Sequence, residues 1–199
     1  PSRLAGMKAS DALRHPNWSM GAKITVDSAT MVNKSFEIIE ARWLFGIPGE
    51  RISAVVHPQS IVHSMVEYRD GALKAQLGVP DMHLPIRYAL AGSRRLELPS
   101  VERRLTVADM SHLTFEEPDV EKFPGIALGH YALQHGGNTA CVINAANEIA
   151  VDAFLHDRIG FTDIVRIIEK TLERADYVPA PTLDDYVESN TQARRIAAG

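Results

Sequence analysis

From Phe123 to the C-terminus the only periodicity is helical, and this long one-sided stretch restricts the chain to folds that end in packed helices. Helical spacing of apolar positions runs through 125–135, 139–156, 162–175 and 183–198, with breakers at Gly136-Gly137, Gly160 and the Pro179/Pro181 segment between them. Thr162 and Asp163 are placed to cap the third helix and Thr182 or Asp184 the fourth, where a side-chain oxygen can accept from orphan backbone N–H groups. The stripe of Ile164, Ile167, Ile168 and Leu172 then reads as core.

The residues before Phe123 alternate between two periods. A helical turn fits 8–14, and KITVD at 23–27, short and β-branched between Gly21 and Ser28, reads as a strand. Residues 33–45 read as a helix with Phe36, Ile39, Trp43 and Leu44 on an apolar face, stopped by Gly46 and Pro48. Residues 52–57 read as another strand. The runs 61–69 and 72–77 flank Asp70-Gly71, a hairpin signal because Asp-Gly tolerates the positive φ of a type I′ turn. A helix-like segment at 86–91 follows Pro80 and Pro85, and a polar Arg- and Glu-rich connector follows that. The expected class is α+β: a mixed sheet with helices on one face, followed by a C-terminal helical bundle. The expected divisions are 1–100, a connector at 101–122, and the bundle at 123–199.

With 199 residues, 45% of them hydrophobic, the chain can bury a substantial core, which excludes disordered and collagen-like classes. Its net charge of -4 and pI of about 6.1 argue against general nucleic-acid binding, which relies on clustered Lys and Arg. An anionic ligand would need a local cationic pocket. The single cysteine, Cys141, excludes an internal disulfide framework and reads as a small buried apolar residue. No apolar run approaches the roughly 20 residues of a membrane span, and no secretion or lipidation signal is visible, so the expected address is cytoplasmic. The chain begins Pro1-Ser2-Arg3 rather than with Met, which suggests a processed product or a piece of a longer protein.

Chemistry concentrates in residues 15–37. In Ser28-Ala29-Thr30-Met31-Val32-Asn33-Lys34, hydroxyls, an amide, an ammonium and free backbone N–H groups converge on one helix start, a physical recipe for holding phosphate. Glu37 shares a helix face with Asn33 and Lys34, so its carboxylate can meet a divalent cation or a substrate hydroxyl. Spacing alone favours a plainer account, in which Ser28 or Thr30 caps the helix and Lys34 pairs with Glu37 on the surface. Upstream, His15-Pro16-Asn17-Trp18-Ser19-Met20-Gly21 is too rich in breakers for regular structure; Trp18 is either the centre of a lid over a ligand or an anchor into the core.

Four long segments, HPNWSMG, VDSATMVNKSFEIIEARWLF, HPQSIVHSMVEYRDGALKAQLGVPDMHLPI and NTACVINAANEIAVDAFL, together resemble the 1-deoxy-D-xylulose 5-phosphate reductoisomerase family of the non-mevalonate isoprenoid pathway. The resemblance runs from Ala9 to the C-terminus. It implies an NADPH- and divalent-metal-dependent (Mn²⁺ or Mg²⁺) homodimeric enzyme that rearranges and reduces a phosphorylated sugar to 2-C-methyl-D-erythritol 4-phosphate, with no nucleic-acid or membrane partner. By motif, Ser28, Asn33 and Lys34 would hold the substrate phosphate and hydroxyls, His15 would touch substrate, Trp18 would tip the lid, and Glu37 would bind the metal. Met20, Gly21, Pro80 and Met82 would lie on the nicotinamide side, and residues 1–100 would be the substrate and metal domain.

Two parts of that pattern are missing. No Asp-Ser-Glu segment supplies further metal ligands, and no Gly-rich strand-to-helix turn is present to hold a dinucleotide. The expectation is therefore a catalytic and C-terminal portion that is inactive alone; a phosphate-binding module without chemistry and an oligomerisation module are the alternatives. His63 is left open between pocket lining and a satisfied strand histidine, and His57 and Ser60 are unplaced. His130, His135 and His156 show no ligand-like grouping. Asn144, Asn147 and Glu148 read as an amide network joining helices rather than as catalytic groups.

Overall fold

A computed structural model describes residues 2–13, 21–97, 99 and 103–199. In chain order the elements are α1 (Ser2–Ala5), α2 (Ala9–Ala12), α3 (Ala22–Ala29), α4 (Val32–Phe45), β1 (Val62–Glu67), β2 (Leu73–Leu77) and α5 (His83–Leu90), then α6 (Ala127–His135), α7 (Thr139–Leu155), α8 (Asp163–Arg174) and α9 (Leu183–Ala198). They sort into two compact units, the first holding 2–13, 21–54 and 118–199 and the second 55–97, 99 and 103–117. The α+β class is as expected.

In the first unit α7 is the central element. Val142, Ile143, Ala145, Ala146, Ala150, Val151 and Phe154 are all buried, and the alanines allow close approach on more than one side. Ile164, Val165 and Ile168 of α8 bury against α7, and Phe154 meets Phe161 edge-on at 5.7 Å between ring centroids. Ala193 of α9 closes on Val142 and Ala145. Burying side chains of this size contributes about 1.5–3 kcal/mol each. Thr182 starts α9 as expected, its hydroxyl accepting from the Asp185 N–H in a capping box. Thr162 stands before α8 without a side-chain cap bond, and Asp163 accepts instead from the Gly160 N–H at 2.9 Å.

α4 packs on this platform through α6. Gly129 is required there, since a Cβ at that position would stand 2.7 Å from the Ser35 carbonyl oxygen. The Ser35 hydroxyl reaches the Gly125 and Ile126 carbonyls at 2.5 and 2.9 Å, tying the first turns of α4 to the start of α6. The α3–α4 pair, drawn from the first hundred residues, thus packs with the C-terminal helices.

Three local expectations need correction. KITVD is helical, not extended. The hydroxyls of Thr25, Ser28 and Thr30 donate back to the carbonyls of Gly21, Ile24 and Val26, and Thr25, Val26 and Asp27 are buried against the platform, so tertiary contact overrides β-propensity. Residues 52–57 form no strand; a 3₁₀ turn at Gly49–Arg51 precedes a single bridge between Val56 and Glu116. Trp43 and Leu44, expected on the packed face of α4, are 75% and 76% exposed, while Phe36 and Ile39 do pack against the core.

In the second unit β1 and β2 pair antiparallel, with Met65 opposite Ala75 and Glu67 opposite Leu73. The mixed sheet therefore reduces, among the described residues, to this pair. The hairpin lies where Asp70-Gly71 placed it, but its turn is not type I′. The Gly71 N–H bonds the Tyr68 carbonyl, the Tyr68 N–H bonds the Ala72 carbonyl, and Gly71 has φ of +82° while Asp70 is not left-handed, which is a three-residue loop ending in a glycine bulge.

Candidate functional site

The turn between α3 and α4 brings three of the expected groups together. Met31, at φ 63°, reverses the chain and stands at the N-cap of α4 without a side-chain cap bond. The backbone N–H groups of Asn33 and Lys34 consequently have no partner among the described residues, and they stand at the positive end of a 14-residue helix. On the same face Asn33 Nδ2 donates to Glu37 Oε1 at 2.7 Å, and Lys34 Nζ pairs with Glu37 Oε2. Lys34 and Glu37 are 43% and 44% exposed, so their pairing contributes about 0–1 kcal/mol. Little energy is needed to redirect these side chains toward a ligand.

Ser28 is placed differently from the sequence reading. It belongs to the last turn of α3, and its hydroxyl donates to the Ile24 carbonyl at 2.8 Å rather than capping α4. Thr30 comes nearest to capping, with its oxygen 3.5 Å from the Val32 N–H. Gly21 is the N-cap residue of α3 and is exposed. His15, Trp18 and Met20 lie outside the described residues.

Beside Asn33 a cavity of about 370 Å³ opens between α3, α4 and α7, lined by Lys23, Ile24, Asp27, Phe36 and Asn144 among others. Its polar wall continues inward. Lys23 Nζ meets Asp27 Oδ2 at 2.6 Å, and Asn147 Nδ2 donates to Asp27 Oδ1 at 2.8 Å. Asn144 donates to Glu148 Oε1 at 3.0 Å, and Arg194 of α9 pairs with Glu148 Oε2. Burial raises the Glu148 pKa, but the Arg194 and Asn144 hydrogen bonds and the charges of Arg194 and Lys23 outweigh it, and the net shift is downward from 4.5. The polar residues of NAANE thus do join helices, in two separate sets: Asn147 with Asp27 and Lys23 of α3, and Asn144 and Glu148 with Arg194 of α9. Lys23, Asp27 and Arg194 were missed as their members; the one available sign was the run of polar side chains inside the helical pattern of 144–148.

In the second unit, Pro80 is half-buried, and Met82 precedes α5 at 54% exposure. His63 lies on β1, its Nε2 3.1 Å from the Ser60 carbonyl. His57 Nδ1 lies 2.8 Å from the Thr114 carbonyl, and its ring stacks on Phe115 at 4.6 Å. Cys141 is half-buried; burial pushes its thiol up from 9.0. Among the described residues no three His, Cys, Asp or Glu side chains converge as metal ligands, so Glu37 does not by itself make a metal site. No described helix is long and apolar enough to cross a membrane.

Fold and site together define an α+β protein whose helical platform carries Asn33, Lys34 and the exposed Glu37 carboxylate on the first turns of one helix. Two family models match: the DXP reductoisomerase C-terminal domain over residues 77–196 and the 1-deoxy-D-xylulose 5-phosphate reductoisomerase C-terminal domain over residues 1–45. The chain belongs to the 1-deoxy-D-xylulose 5-phosphate reductoisomerase family and corresponds to its C-terminal region. The reductoisomerase of Bacteroides thetaiotaomicron is 54% identical over 196 residues, and that of Prosthecochloris aestuarii 53% over 192, covering 98% and 96% of this chain. The Zymomonas mobilis enzyme in complex with NADPH superposes with a TM-score of 0.90 at 44% identity over 99% of this chain. A DOX-P reductoisomerase in complex with NADPH, fosmidomycin and magnesium gives 0.88 at 40% identity over 98%. The chain spans about half the length of these relatives, 50% in each of the four.

Proposed function

We propose that this chain is the substrate-side half of an NADPH-dependent reductoisomerase that converts 1-deoxy-D-xylulose 5-phosphate to 2-C-methyl-D-erythritol 4-phosphate in isoprenoid biosynthesis. The observation that carries the proposal is the convergence of Asn33, Lys34, Glu37 and two N–H groups without a partner among the described residues on the first turns of α4, in a family whose solved members include complexes with NADPH, magnesium and fosmidomycin. In this reading the Asn33 and Lys34 N–H groups and the Lys34 ammonium receive the phosphate, with Ser28 and His15 adding contacts. Trp18 covers the ligand, and Gly21, Met20, Pro80 and Met82 flank the nicotinamide.

When bound, a divalent metal would polarise the hydroxyketone and NADPH would supply hydride. Glu37 would contribute one metal ligand, Mn²⁺ or Mg²⁺ serving equally as a hard cation. The other ligands and the dinucleotide site are not among the described residues, so the 199-residue chain is expected to be inactive alone. The parent enzyme would be a cytoplasmic homodimer, with 1–100 its substrate and metal region, 101–122 a connector and 123–199 a supporting helical bundle.

The test is turnover. The chain joined to a reductoisomerase cofactor half should oxidise NADPH with 1-deoxy-D-xylulose 5-phosphate and Mn²⁺, and the Lys34→Ala variant should raise KM at least tenfold, about 1.4 kcal/mol. Absence of turnover in the joined protein would reject the proposal, and turnover by the chain alone would reject its fragment clause.

A further inference from the structure

The α3–α4 turn has to be held still for its N–H groups to act, and the group that holds it is a carboxylate that the reaction does not need. Asp27 is 3% exposed and Asn147 is 0% exposed, yet Asp27 stands one residue before Ser28 and Asn147 sits in the middle of α7, 120 positions away in sequence. Their 2.8 Å hydrogen bond is the side-chain tie between the site's leading helix and the platform's central one. Lys23 neutralises the buried carboxylate from the same helix at 2.6 Å. Moving α3 off α7 would leave Lys23 in place but strip the carboxylate of its Asn147 donor, and a buried carboxylate oxygen without a donor is costly, so the pair tolerates little displacement. Asn147 Oδ1 is itself buried without a partner among the described residues, so the amide is fixed by its donor side alone.

We propose that Asp27 and Asn147 are positioning residues, clamping α3 to α7 and thereby fixing where the turn presents Ser28, Asn33, Lys34 and Glu37. The idea rests on the phosphate-site reading above. It also explains why polar residues interrupt the otherwise apolar face of α7: an apolar pair of equal size would pack as well but would allow α3 to slide.

Three variants of the full-length enzyme carrying this chain test the clamp. Asn147→Asp places two carboxylates at hydrogen-bond distance, where they repel when both are ionised and close again only on a shared proton. At neutral pH kcat/KM should fall roughly 100-fold through KM, the scale of an ångström-sized misplacement, and should recover toward acid pH. Asn147→Ala should lose a similar factor without acid recovery. The exchange Asp27→Asn with Asn147→Asp restores one donor and one carboxylate and should bring KM back to within a few-fold. Should Asn147→Asp fail to fold, Asp27→Asn alone is isosteric and should raise KM by a smaller factor. Thermal midpoints are measured alongside, and the clamp is overturned if the exchange restores the midpoint but not KM, or if the single variants match wild type. Calorimetric titration of inorganic phosphate into the 199-residue chain separates this inference from the functional one. Phosphate bound by wild type and lost in Asn147→Asp upholds the clamp even if the joined enzyme shows no turnover; phosphate bound by neither, or equally by both, overturns it.

Discussion

The helical unit has a core of large apolar side chains, with Ile143 at 0% and Phe154 at 2% exposure, even though Trp43 and Leu44 stand out at 75% and 76%, whereas the hairpin unit leaves Val66 at 56% and Leu73 at 64%. The buried residues of α7 from Val142 to Phe154 are apolar apart from Asn147, which donates to Asp27. By contrast β1 and β2 are exposed along nearly their whole length, and α5 buries nothing. A two-stranded hairpin is marginal in water by itself, so β1 and β2 cannot be held by their own pairing in the way α7 is held by its neighbours. The groups proposed to receive phosphate stand on the helical unit. Placing first-contact groups on a rigid element is what precise ligand geometry requires.

Substitutions that strike the two units should separate them sharply. Phe154→Ala removes the ring that meets Phe161 and should cost about 3–5 kcal/mol in urea unfolding followed by circular dichroism. A loss below about 1 kcal/mol would mean that the helical unit is not organised around α7. Gly129→Ala drives a Cβ against the Ser35 backbone and should cost about 1–3 kcal/mol while also weakening phosphate binding, since Ser35 lies one residue beyond Lys34. Unchanged phosphate affinity in that variant would uncouple the turn from the platform.

How far the sequence foretold this contrast depends on the range of the interactions involved. Helices 33–45, 125–135, 139–156, 162–175 and 183–198 were legible because an apolar period and the glycine and proline breakers that end it are both local, and Asp70-Gly71 located the hairpin for the same reason. Residues 23–27 were misread because five β-branched-rich positions carry no record of the α7 surface that buries Thr25, Val26 and Asp27. Met31 in the left-handed region had no glycine to announce it, so Ser28 was assigned to the wrong helix end. The Asp27–Asn147 tie joins positions that no periodicity connects. On α4, helical spacing grouped Asn33, Lys34 and Glu37 correctly, and the same spacing wrongly packed Trp43 and Leu44 because it cannot see where the platform ends.

Smaller effects sharpen the comparison further. Glu148 has its pKa depressed in the fold, so its stabilisation is complete above about pH 4.5 and is lost as pH falls through the lower folded value. Acid unfolding of Glu148→Gln should therefore be less steep below pH 4.5 than that of wild type, as read by tryptophan fluorescence; identical acid limbs would remove the Arg194–Glu148 pair from the account. Smallest of all, Leu73→Ala on the exposed hairpin should change stability by less than about 0.5 kcal/mol in the isolated chain.

Native-state hydrogen exchange on the 199-residue chain, with and without inorganic phosphate, tests the central claim most directly. The amides of 143–151 in α7 should exchange at the rate of global unfolding, those of β1 and β2 far faster, and phosphate should slow exchange around the α3–α4 turn while leaving the hairpin unchanged. A hairpin protected as strongly as α7, or phosphate protection that appears anywhere but the turn, would contradict it.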